Sequence, residues 1–522
     1  MSSTNSSTTL PDVKAFGIKE AVQIHLDSPS TPSLEDKLAE HGIQRDASNN
    51  VTWRRDSKDH PRNWSTSRKL YDTSVIILLE LYTTVISTTG PSAAAPASKE
   101  YGINTLTSLV AFSYMYQIGQ AFGGLLIPPF SESFGRRNPY ILSSAIFAIF
   151  CLITGVVPSL AGAFVGRFIA GFASAVPSVV IAGSVEDIFN SRRRVWLVLV
   201  WNGLATAGLI FGPIYGVYIE SKYGWRWIYY SAAIGTAVLT TFCFGLKESR
   251  PSLLLNRKVE RLRKTLSEEL IYENHDAVPD KKTLINLVLI RPSRLLVSEP
   301  LVILVATLTA ISWGIIYLFT EALTKVYMSM GLSKTTSSLP FLAIGVGIMF
   351  TIIPRFWDLK VVEKRRRNNE PLQPEDKLTG FLFAVPALAI GLWWFSWTIP
   401  PAVSHLSWIV PTIGLIFVGF AVNEMALTLS GYLADAYTVY AASAFAALAF
   451  LRAIVSGAAP LVAYVLYKNE SANIAGSILA AVATAFCIAP VIMHRYSRDL
   501  RRRSKFARHS FEVYAMTRVE DD

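Results

Sequence analysis

Five charged residues lie within long apolar runs of the sequence: Glu80, Arg167, Glu321, Glu424 and Arg452. A charged side chain at the centre of a lipid-embedded helix costs about 2.5–3.5 kcal/mol on insertion scales, so it usually faces a cavity or a partner. Burial favours the protonated form of a carboxylic acid, whereas a neighbouring arginine favours the ionised form. A helix movement that exchanges these environments would let a carboxylate bind a proton on one side of a membrane and release it on the other.

Glu80, within VIILLELYTTV near the middle of the first apolar run, is the residue that we predict to carry this proton. A fixed structural ion pair is the alternative for it. We interpret Arg452, which is central in the eleventh run, as a structural buried charge. Glu424 either contacts a substrate or caps the inner end of its helix, and both possibilities stay open.

The composition indicates that these charges are held in a membrane. Of the 522 residues, 51% are hydrophobic and 17% are charged, whereas an ordinary soluble domain carries about a quarter charged residues. The net charge of +11 lies mostly between apolar runs and at the two ends, which fits the positive-inside rule better than a nucleic-acid-binding surface. We therefore expect a lipid bilayer around the chain and no nucleic-acid partner.

Motifs for enzymatic chemistry are missing from the sequence. It contains no GxSxG, HExxH or Walker-type phosphate-binding pattern, and its three cysteines show neither CxxC nor metal-ligand spacing. These observations argue against an enzyme, a metal site, a cofactor and direct drive by ATP.

Twelve apolar segments reach the roughly 20 residues that a spanning helix needs. Clusters of Lys and Arg follow every second segment, as at Arg192–Arg194 and Lys364–Arg367, while connections such as VPSL and TIPPAVSH carry none. This alternation places both termini on the cytoplasmic side. The segments lie at about 70–90, 105–127, 139–158, 161–184, 195–219, 225–246, 297–322, 335–357, 378–399, 405–429, 437–465 and 472–494.

The order of the segments predicts an all-α membrane protein with two six-helix halves. Transporters built from such repeats bind substrate where the halves meet, near the bilayer midplane. The middle stretch KVERLRKTLSEELIYEN has helical periodicity, and it either lies along the inner membrane surface or forms a solvated linker helix. The predicted divisions are a mostly disordered tail at 1–66, a first half at 67–246, a cytoplasmic linker at 247–294, a second half at 295–494 and a basic tail at 495–522.

The stretch PPFSESFGRR joins the second and third spans and contains Glu132, Gly135, Arg136 and Arg137. Glycine permits a tight turn, and arginines can hold a carboxylate or the carbonyls at a helix end. This loop resembles the signature loop of the major facilitator superfamily, in which an acidic residue precedes a Gly-Arg-Arg group. The resemblance implies an inner gate whose contacts break when it opens. Arginines that only set the topology are the alternative.

The fifth span, GLATAGLIFGPIYGVYI, has a small-residue face formed by Gly208, Gly212 and Gly216 around Pro213. Small residues let helix backbones approach closely, and proline bends or softens a span. The pattern resembles the glycine-proline motif of the proton-coupled antiporter branch of the superfamily.

Five further stretches resemble fungal drug:proton antiporters with twelve spans, and within them the secondary-metabolite and multidrug exporters of the cercosporin-exporter type. The resemblance extends from His60 to about Arg495. It implies the major facilitator fold and proton-coupled antiport that exports a small organic molecule such as a fungal secondary metabolite, toxin or drug. It also implies that Arg167 takes part in proton coupling by biasing the ionisation of Glu80. The stretches are HPRNWSTSRK, VGRFIAGFASAVPSVV, YGWRWIYY, ESRPSLLLNRKVERLR and LADAYTVYAASAFAALAFLRAIVSGAAPL.

The family resemblance further implies a plasma-membrane location, with the vacuolar membrane as the second choice, and drive by the proton gradient. We expect a monomer. A proton symporter or facilitator for an organic acid, a sugar or a polyamine is the nearest alternative function. A transporter-like membrane sensor that signals through its tails is an alternative of another class.

Polar and aromatic residues within the spans are candidates for the lining of a substrate cavity, because pockets for amphipathic molecules combine apolar walls with a few polar groups. Packing between helices is the alternative for each of them. Asn469 begins an N-x-S triplet in the outer loop between the last two spans, which makes it a candidate glycosylation site close to the membrane. The cavity candidates are Tyr114, Gln117, Asn202, Trp313, Tyr317 and Glu424.

Overall fold

The computed structural model describes residues 38–45, 50–266, 283, 285–368, 373–403, 405–504 and 506–508. Most of the predicted N-terminal tail, the middle of the linker and the end of the basic C-terminal tail lie outside these residues. The described residues are almost entirely helical, with one small β-hairpin formed by β1 (Ile43–Arg45) and β2 (Val51–Trp53).

The helices follow the predicted order of two halves around a linker. The first half contains α1 (Thr66–Ser87), α2 (Gly90–Tyr101), α3 (Thr105–Leu109), α4 (Met115–Phe134), α5 (Arg137–Val156), α6 (Leu160–Ile188), α7 (Ser191–Tyr223) and α8 (Arg226–Phe244). The linker region contains α9 (Pro251–Leu266) and α10 (Arg291–Ser298). The second half contains α11 (Pro300–Ser329), α12 (Phe341–Met349), α13 (Ile352–Arg367), α14 (Thr379–Trp397), α15 (Ile409–Ala436), α16 (Ala441–Asn469), α17 (Ala472–Phe486) and α18 (Ile488–Arg503).

Eleven helical segments of the described chain are long and apolar enough to cross a bilayer. They coincide with all the predicted spans except the second. At the second span, residues 105–134 are helical, but a π-helical turn at Val110–Tyr114 divides them into α3 and α4. The all-α architecture is therefore confirmed, whereas the count of twelve spans and the cytoplasmic side of both termini stay predictions.

The two halves contain equivalent close helix contacts. In the first half, a Cβ atom on Gly171 of α6 would overlap the backbone oxygen of Tyr116 in α4. In the second half, a Cβ atom on Gly419 of α15 would overlap the backbone oxygen of Ile344 in α12. Both contacts join the fourth span of a half to its second span, and close approach through small residues is a common way to hold helices together in lipid.

Two pairs of helices form most of the packing between the halves: α4 packs on α16, and α7 packs on α12. In the first pair, the Phe122 and Phe450 ring centroids lie 6.4 Å apart. In the second pair, a Cβ atom placed on Gly345 would lie 3.6 Å from the Cδ1 atom of Ile210, which is an ordinary van der Waals distance. The second and eleventh spans on one side and the fifth and eighth on the other therefore form the closest packing between the halves, and the whole boundary between the halves is called the seam.

The hairpin β1–β2 covers the apolar face of α9 and is a folded element within the tail that is predicted to be mostly disordered. Leu255, Val259 and Leu262 of α9 are buried against the hairpin and Leu38. The Trp53 indole N–H also donates to the backbone oxygen of Pro251, at 3.0 Å. The apolar face of the linker helix is thus occupied by the protein's own N-terminal segment, which leaves it unavailable to the membrane surface.

Candidate functional site

Glu80 lies in the middle of α1 at the seam between the halves. It is 6% exposed, and its Oε2 atom has no hydrogen-bond partner among the described residues. The cation that acts on its carboxylate is Arg452, which belongs to α16 in the other half. Tyr317 of α11 also lies within electrostatic range of Glu80. The predicted proton carrier thus faces a positive charge across the seam.

The Arg452 guanidinium lies over an aromatic ring of the second half. Its guanidinium carbon lies 4.7 Å from the centroid of the Trp313 ring, a distance typical of a cation–π contact. Its electrostatic partners are Tyr317 and Glu80. The predicted structural charge is therefore also the positive charge opposite the predicted proton carrier.

Arg167 is fully buried inside the first half. Its guanidinium carbon lies 4.3 Å from the centroid of the Tyr116 ring, and its Nε atom donates to the backbone oxygen of Phe112 at 2.7 Å. This placement corrects the expected pairing, because Glu80 is acted on by Arg452 rather than by Arg167. Arg167 instead contacts the rings of Tyr116 and Tyr229, and its contact with α1 is to the backbone oxygen of Ile86 at 3.5 Å. Its part in proton coupling stays a prediction.

The signature loop between α4 and α5 is held by a carboxylate from the linker. Gly135 has a φ of +92°, which favours glycine, and a Cβ atom there would lie 2.7 Å from the Leu253 side chain. Glu248 accepts hydrogen bonds from the backbone N–H of Arg136 at 2.8 Å and of Arg137 at 3.2 Å. The loop geometry therefore depends on both the glycine and Glu248.

The two arginines of the loop have different partners, and both partners lie in the first half. Arg136 is buried and forms an ion pair with Asp187 at the end of α6, at 3.1 Å. Arg137 donates to the backbone oxygen of Phe244, the last residue of α8, at 3.0 Å. Glu132 of the same loop is exposed.

Asp187 and Glu248 were missed as site residues by the sequence prediction. Asp187 lies in the last turn of α6 and Glu248 follows the end of α8, and carboxylates at such positions are usually solvated. Glu248 begins the stretch ESRPSLLLNRKVERLR directly after the sixth span. The resemblance of this stretch to the family was a signal for it, but it did not identify the loop as the partner.

The small residues of the fifth span pack on α1, on Thr88 just beyond its end, and on the start of α2. A Cβ atom on Gly208 would lie 2.9 Å from the backbone oxygen of Leu81. One on Gly212 would overlap Thr88, and one on Gly216 would lie 2.8 Å from the Ser92 hydroxyl.

Pro213 lies inside α7 beside these glycines. The small-residue face therefore positions α7 directly against α1, the helix that carries Glu80. The glycine-proline motif therefore acts as a packing surface for the helix of the predicted proton carrier, not for the carboxylate itself.

Several predicted cavity residues meet at the seam. Tyr317 in the second half forms a hydrogen bond of 3.0 Å with the Ser87 hydroxyl in the first half. Asn202 of α7 donates to Asn423 of α15 at 2.9 Å. These hydrogen bonds join the halves at two points within the spans.

Tyr114 and Gln117 face α16 of the second half. A Cβ atom on Gly457 would lie 2.8 Å from side-chain atoms of both residues. The Gln117 Nε2 atom and the Trp313 Nε1 atom are buried without a hydrogen-bond partner among the described residues. Two polar groups at the seam are thus available to a bound molecule.

Glu424 is paired with an arginine of its own half. Its side chain is fully buried and forms an ion pair with Arg355 of α13, which also pairs with Asp358 at 2.8 Å. Glu424 lies in the interior of α15 and does not cap its helix end, whereas its contact with a substrate stays a prediction. Arg355 was missed by the sequence prediction because it lies at the inner end of an apolar run, where an arginine usually reflects topology.

The remaining charge within the spans is also paired locally. Glu321 forms an ion pair with Lys325, one turn further along α11.

Asn469 is exposed at the end of α16, two residues before Ser471, which caps the start of α17. Its glycosylation stays a prediction.

Glu100 in the outer part of the first half binds two residues of the YGWRWIYY stretch. It accepts hydrogen bonds from the Trp225 indole at 2.7 Å and from the Arg226 guanidinium at 2.6 Å. The hydrogen bond from Arg226 holds the pKa of Glu100 below its usual range. Because the folded state lowers this pKa, the clamp stabilises the fold at neutral pH and is lost as the pH falls through the lowered value.

Comparison with known proteins identifies relatives over most of the chain. A family model described as Major Facilitator Superfamily matches residues 76–460. The multidrug transporter FLU1 of Candida albicans is 29% identical over 459 residues, which cover 87% of this chain and 75% of FLU1. The MFS-type transporter penM of Penicillium rubens is 30% identical, with 86% of this chain and 89% of penM covered. The efflux pump radE of Floropilus chiversii is 27% identical, with 86% and 84% covered.

Solved structures show the same fold at low sequence identity. The xylose transporter XylE from E. coli, in a partially occluded inward-open conformation, has a TM-score of 0.54 at 17% identity, with 82% of this chain and 98% of XylE covered. A POT family transporter in complex with a thioalcohol-conjugated peptide has a TM-score of 0.55 at 14% identity, with 82% and 96% covered. These likenesses concern the fold alone.

Proposed function

Because the chain belongs to the major facilitator superfamily and is a multi-pass membrane transporter rather than an enzyme, we propose that it exports a small organic molecule in exchange for protons. The relatives named as efflux pumps and multidrug transporters support the direction of transport. The expected cargo is a fungal secondary metabolite, toxin or drug, and the expected location is the plasma membrane. No ATP site or cofactor takes part in this proposal.

The buried Glu80 carboxylate opposite Arg452 is the observation that carries the proposal. Ionised Glu80 attracts Arg452 and draws α1 and α16, which belong to different halves, together. Protonation removes this attraction, so the halves separate more easily. A membrane potential adds about 2.3 kcal/mol per charge for each 100 mV, which is enough to drive a useful gradient.

Alternating opening of the two sides would complete the exchange. On the side expected to face outwards, Lys334 of the second half forms an ion pair with Glu220 of the first half. On the inner side, Arg136 and Glu248 hold the signature loop in the first half. We infer that the structure represents a state with joined outer ends, from which cargo exchanges with the cytoplasm.

Efflux from proteoliposomes under an imposed pH step tests the proposal. The first arm screens secondary metabolites, cytotoxic drugs, organic acids and polyamines with the wild type, with and without a protonophore. We expect Glu80→Gln to abolish pH-driven movement of the cargo while the protein still inserts. Full pH-driven transport by this variant would exclude Glu80 as the carrier. Cargo movement that ignores the pH step in the wild type would indicate a facilitator.

A further inference from the structure

A cavity outside the seam lies where α5, α8 and the start of the linker meet. It has a volume of about 450 Å³ and is lined by Arg137, Asn138, Leu246, Lys247, Glu248 and Arg257. The distribution of basic loops places this end of the spans on the cytoplasmic side. The lining thus brings three cations and one carboxylate together at the level of the inner leaflet.

The carboxylate of this cavity is already occupied. Glu248 Oε1 accepts from the backbone N–H groups of Arg136 at 2.8 Å and Arg250 at 2.9 Å, and Oε2 accepts from that of Arg137 at 3.2 Å. Both oxygens of this carboxylate therefore already accept backbone N–H groups. The nearby Asp72 is paired with Arg68 at 2.6 Å and also interacts with Lys247. Within the lining itself three cations accompany one carboxylate, so positive charge is in excess.

The cations retain donors for a ligand. The Arg137 Nε atom is buried and has no hydrogen-bond partner among the described residues. Lys247 and Arg257 are exposed, and their side chains form no ion pair with any described residue. Guanidinium groups bind phosphate oxygens in pairs, and an ammonium adds a third point of attraction. The cavity therefore has the chemistry of a phosphate-binding site.

The surroundings of the cavity favour a phosphate that is attached to lipid. Ile234, Val238 and Phe242 are 61%, 51% and 49% exposed at four-residue spacing, so they form an apolar stripe along the lipid side of α8. Phe244, just before the cavity, is 59% exposed. Acyl chains can lie along this stripe while a headgroup enters the cavity. Basic pockets between spans on the cytoplasmic side are known to hold anionic headgroups.

We propose that this cavity binds the phosphate headgroup of an anionic phospholipid of the inner leaflet. Arg137 and Arg257 bind the phosphate oxygens, and Lys247 adds its charge at the rim. The site lies outside the seam, so its ligand is separate from the exported cargo. The proposal stands or falls independently of proton-coupled export.

Native mass spectrometry of the purified full chain in detergent tests the site with dioleoylphosphatidylserine and dioleoylphosphatidylcholine. We expect the wild type to retain one phosphatidylserine in preference to phosphatidylcholine. The double variant Lys247→Gln/Arg257→Gln should lose about 30-fold in affinity, since each cation near a membrane surface contributes about fivefold. The matched control Lys264→Gln/Lys360→Gln removes two exposed charges elsewhere and should retain the preference. Equal binding by both double variants would overturn the proposal.

Competition separates a lipid headgroup from a free phosphate. Inorganic phosphate and soluble glycerophosphoserine, added at millimolar concentration, should fail to displace the lipid. Displacement by either would overturn the assignment to a lipid. A photoreactive phosphatidylserine should label residues 137–138 or 246–257 of the wild type, a readout that needs no variant, and labelling confined to other segments would contradict the site.

Discussion

Buried charges of this protein fall into two kinds according to the location of their partner. Arg136 with Asp187 and Arg355 with Glu424 are paired within one half, so they move with that half as a unit. Glu80 instead faces a cation across the seam. Only an interaction of the second kind changes when the halves separate, which is why Glu80 can couple protonation to movement.

A double-mutant cycle distinguishes the two arginines that could act on Glu80. We expect Glu80→Gln and Arg452→Gln to be non-additive in thermal unfolding of the purified protein, by an amount within the 0.5–3 kcal/mol range of interacting pairs. Glu80→Gln and Arg167→Gln should add within about 0.5 kcal/mol, because Arg167 contacts Tyr116 and Phe112 instead. The reverse pattern would restore Arg167 as the residue that biases Glu80.

The signature loop depends on a single glycine. Gly135→Ala should destabilise the protein by more than the roughly 1–2 kcal/mol that a left-handed residue costs, because the new Cβ atom also meets Leu253 and Glu248. Gly102 has a φ of +63° with open space around it, so Gly102→Ala is the matched control and should show the conformational cost alone. Thermal unfolding and efflux provide the measurements. Equal effects of the two substitutions would refute a tight loop.

Among the helices, the fifth span determines how closely the first span is held. Gly208 and Gly212 leave no room for a side chain against α1, where a Cβ atom would meet the backbone oxygens of Leu81 and Val85, and Gly216 leaves none against Ser92 of α2. The same helix meets α12 of the second half through Ile210, which is close to Gly345. The fifth span thus connects the helix of the proton carrier with the partner half.

Substitution of one glycine of this face tests its role. Gly212→Ala should cost about 1–3 kcal/mol of stability, typical of overpacking, and should reduce transport, because its Cβ atom overlaps Thr88 and the backbone oxygen of Val85. Gly203 lies on the same helix with no atom within 4 Å of its would-be Cβ, so Gly203→Ala serves as the control. Unfolding temperature and efflux of both variants provide the comparison. Wild-type behaviour of Gly212→Ala would show that the motif does not act by close packing.

On the scale of the whole molecule, the halves are joined within the spans and at their expected outer ends. Ser87 with Tyr317 and Asn202 with Asn423 connect them within the spans. Lys334 with Glu220 connects the ends. Transport requires these contacts to break and to form again, so a permanent bond at the outer end should arrest the cycle.

A reversible cross-link makes that expectation measurable. Glu220→Cys with Lys334→Cys, bridged by a bifunctional methanethiosulfonate reagent that replaces the length of the two lost side chains, should stop efflux, and a reductant should restore it. The single variants keep transport under the same reagent and control for the partly exposed native Cys487. Undiminished efflux by cross-linked protein would show that the outer ends need not separate.

The amino-acid sequence by itself determined the features that depend on neighbouring residues. The length of each apolar run predicted the spans, with limits mostly within several residues of the helices, since a helix in lipid satisfies its backbone groups internally. The stretch around Gly135 indicated a tight loop, and the family motifs predicted the two-half fold. Each of these signals is local and periodic along the chain.

Only the tertiary structure decided which charges meet. The partners of Glu80, Glu424 and Arg136 lie between 51 and more than 300 residues away in the chain. Their meeting depends on the rotation of each helix about its axis, which is set by packing against several neighbours at once. The hairpin over α9 has the same origin, because its short strands are stable only with Leu255 and Val259 beneath them. The hydropathy pattern along the chain does not predict how each helix is rotated about its axis.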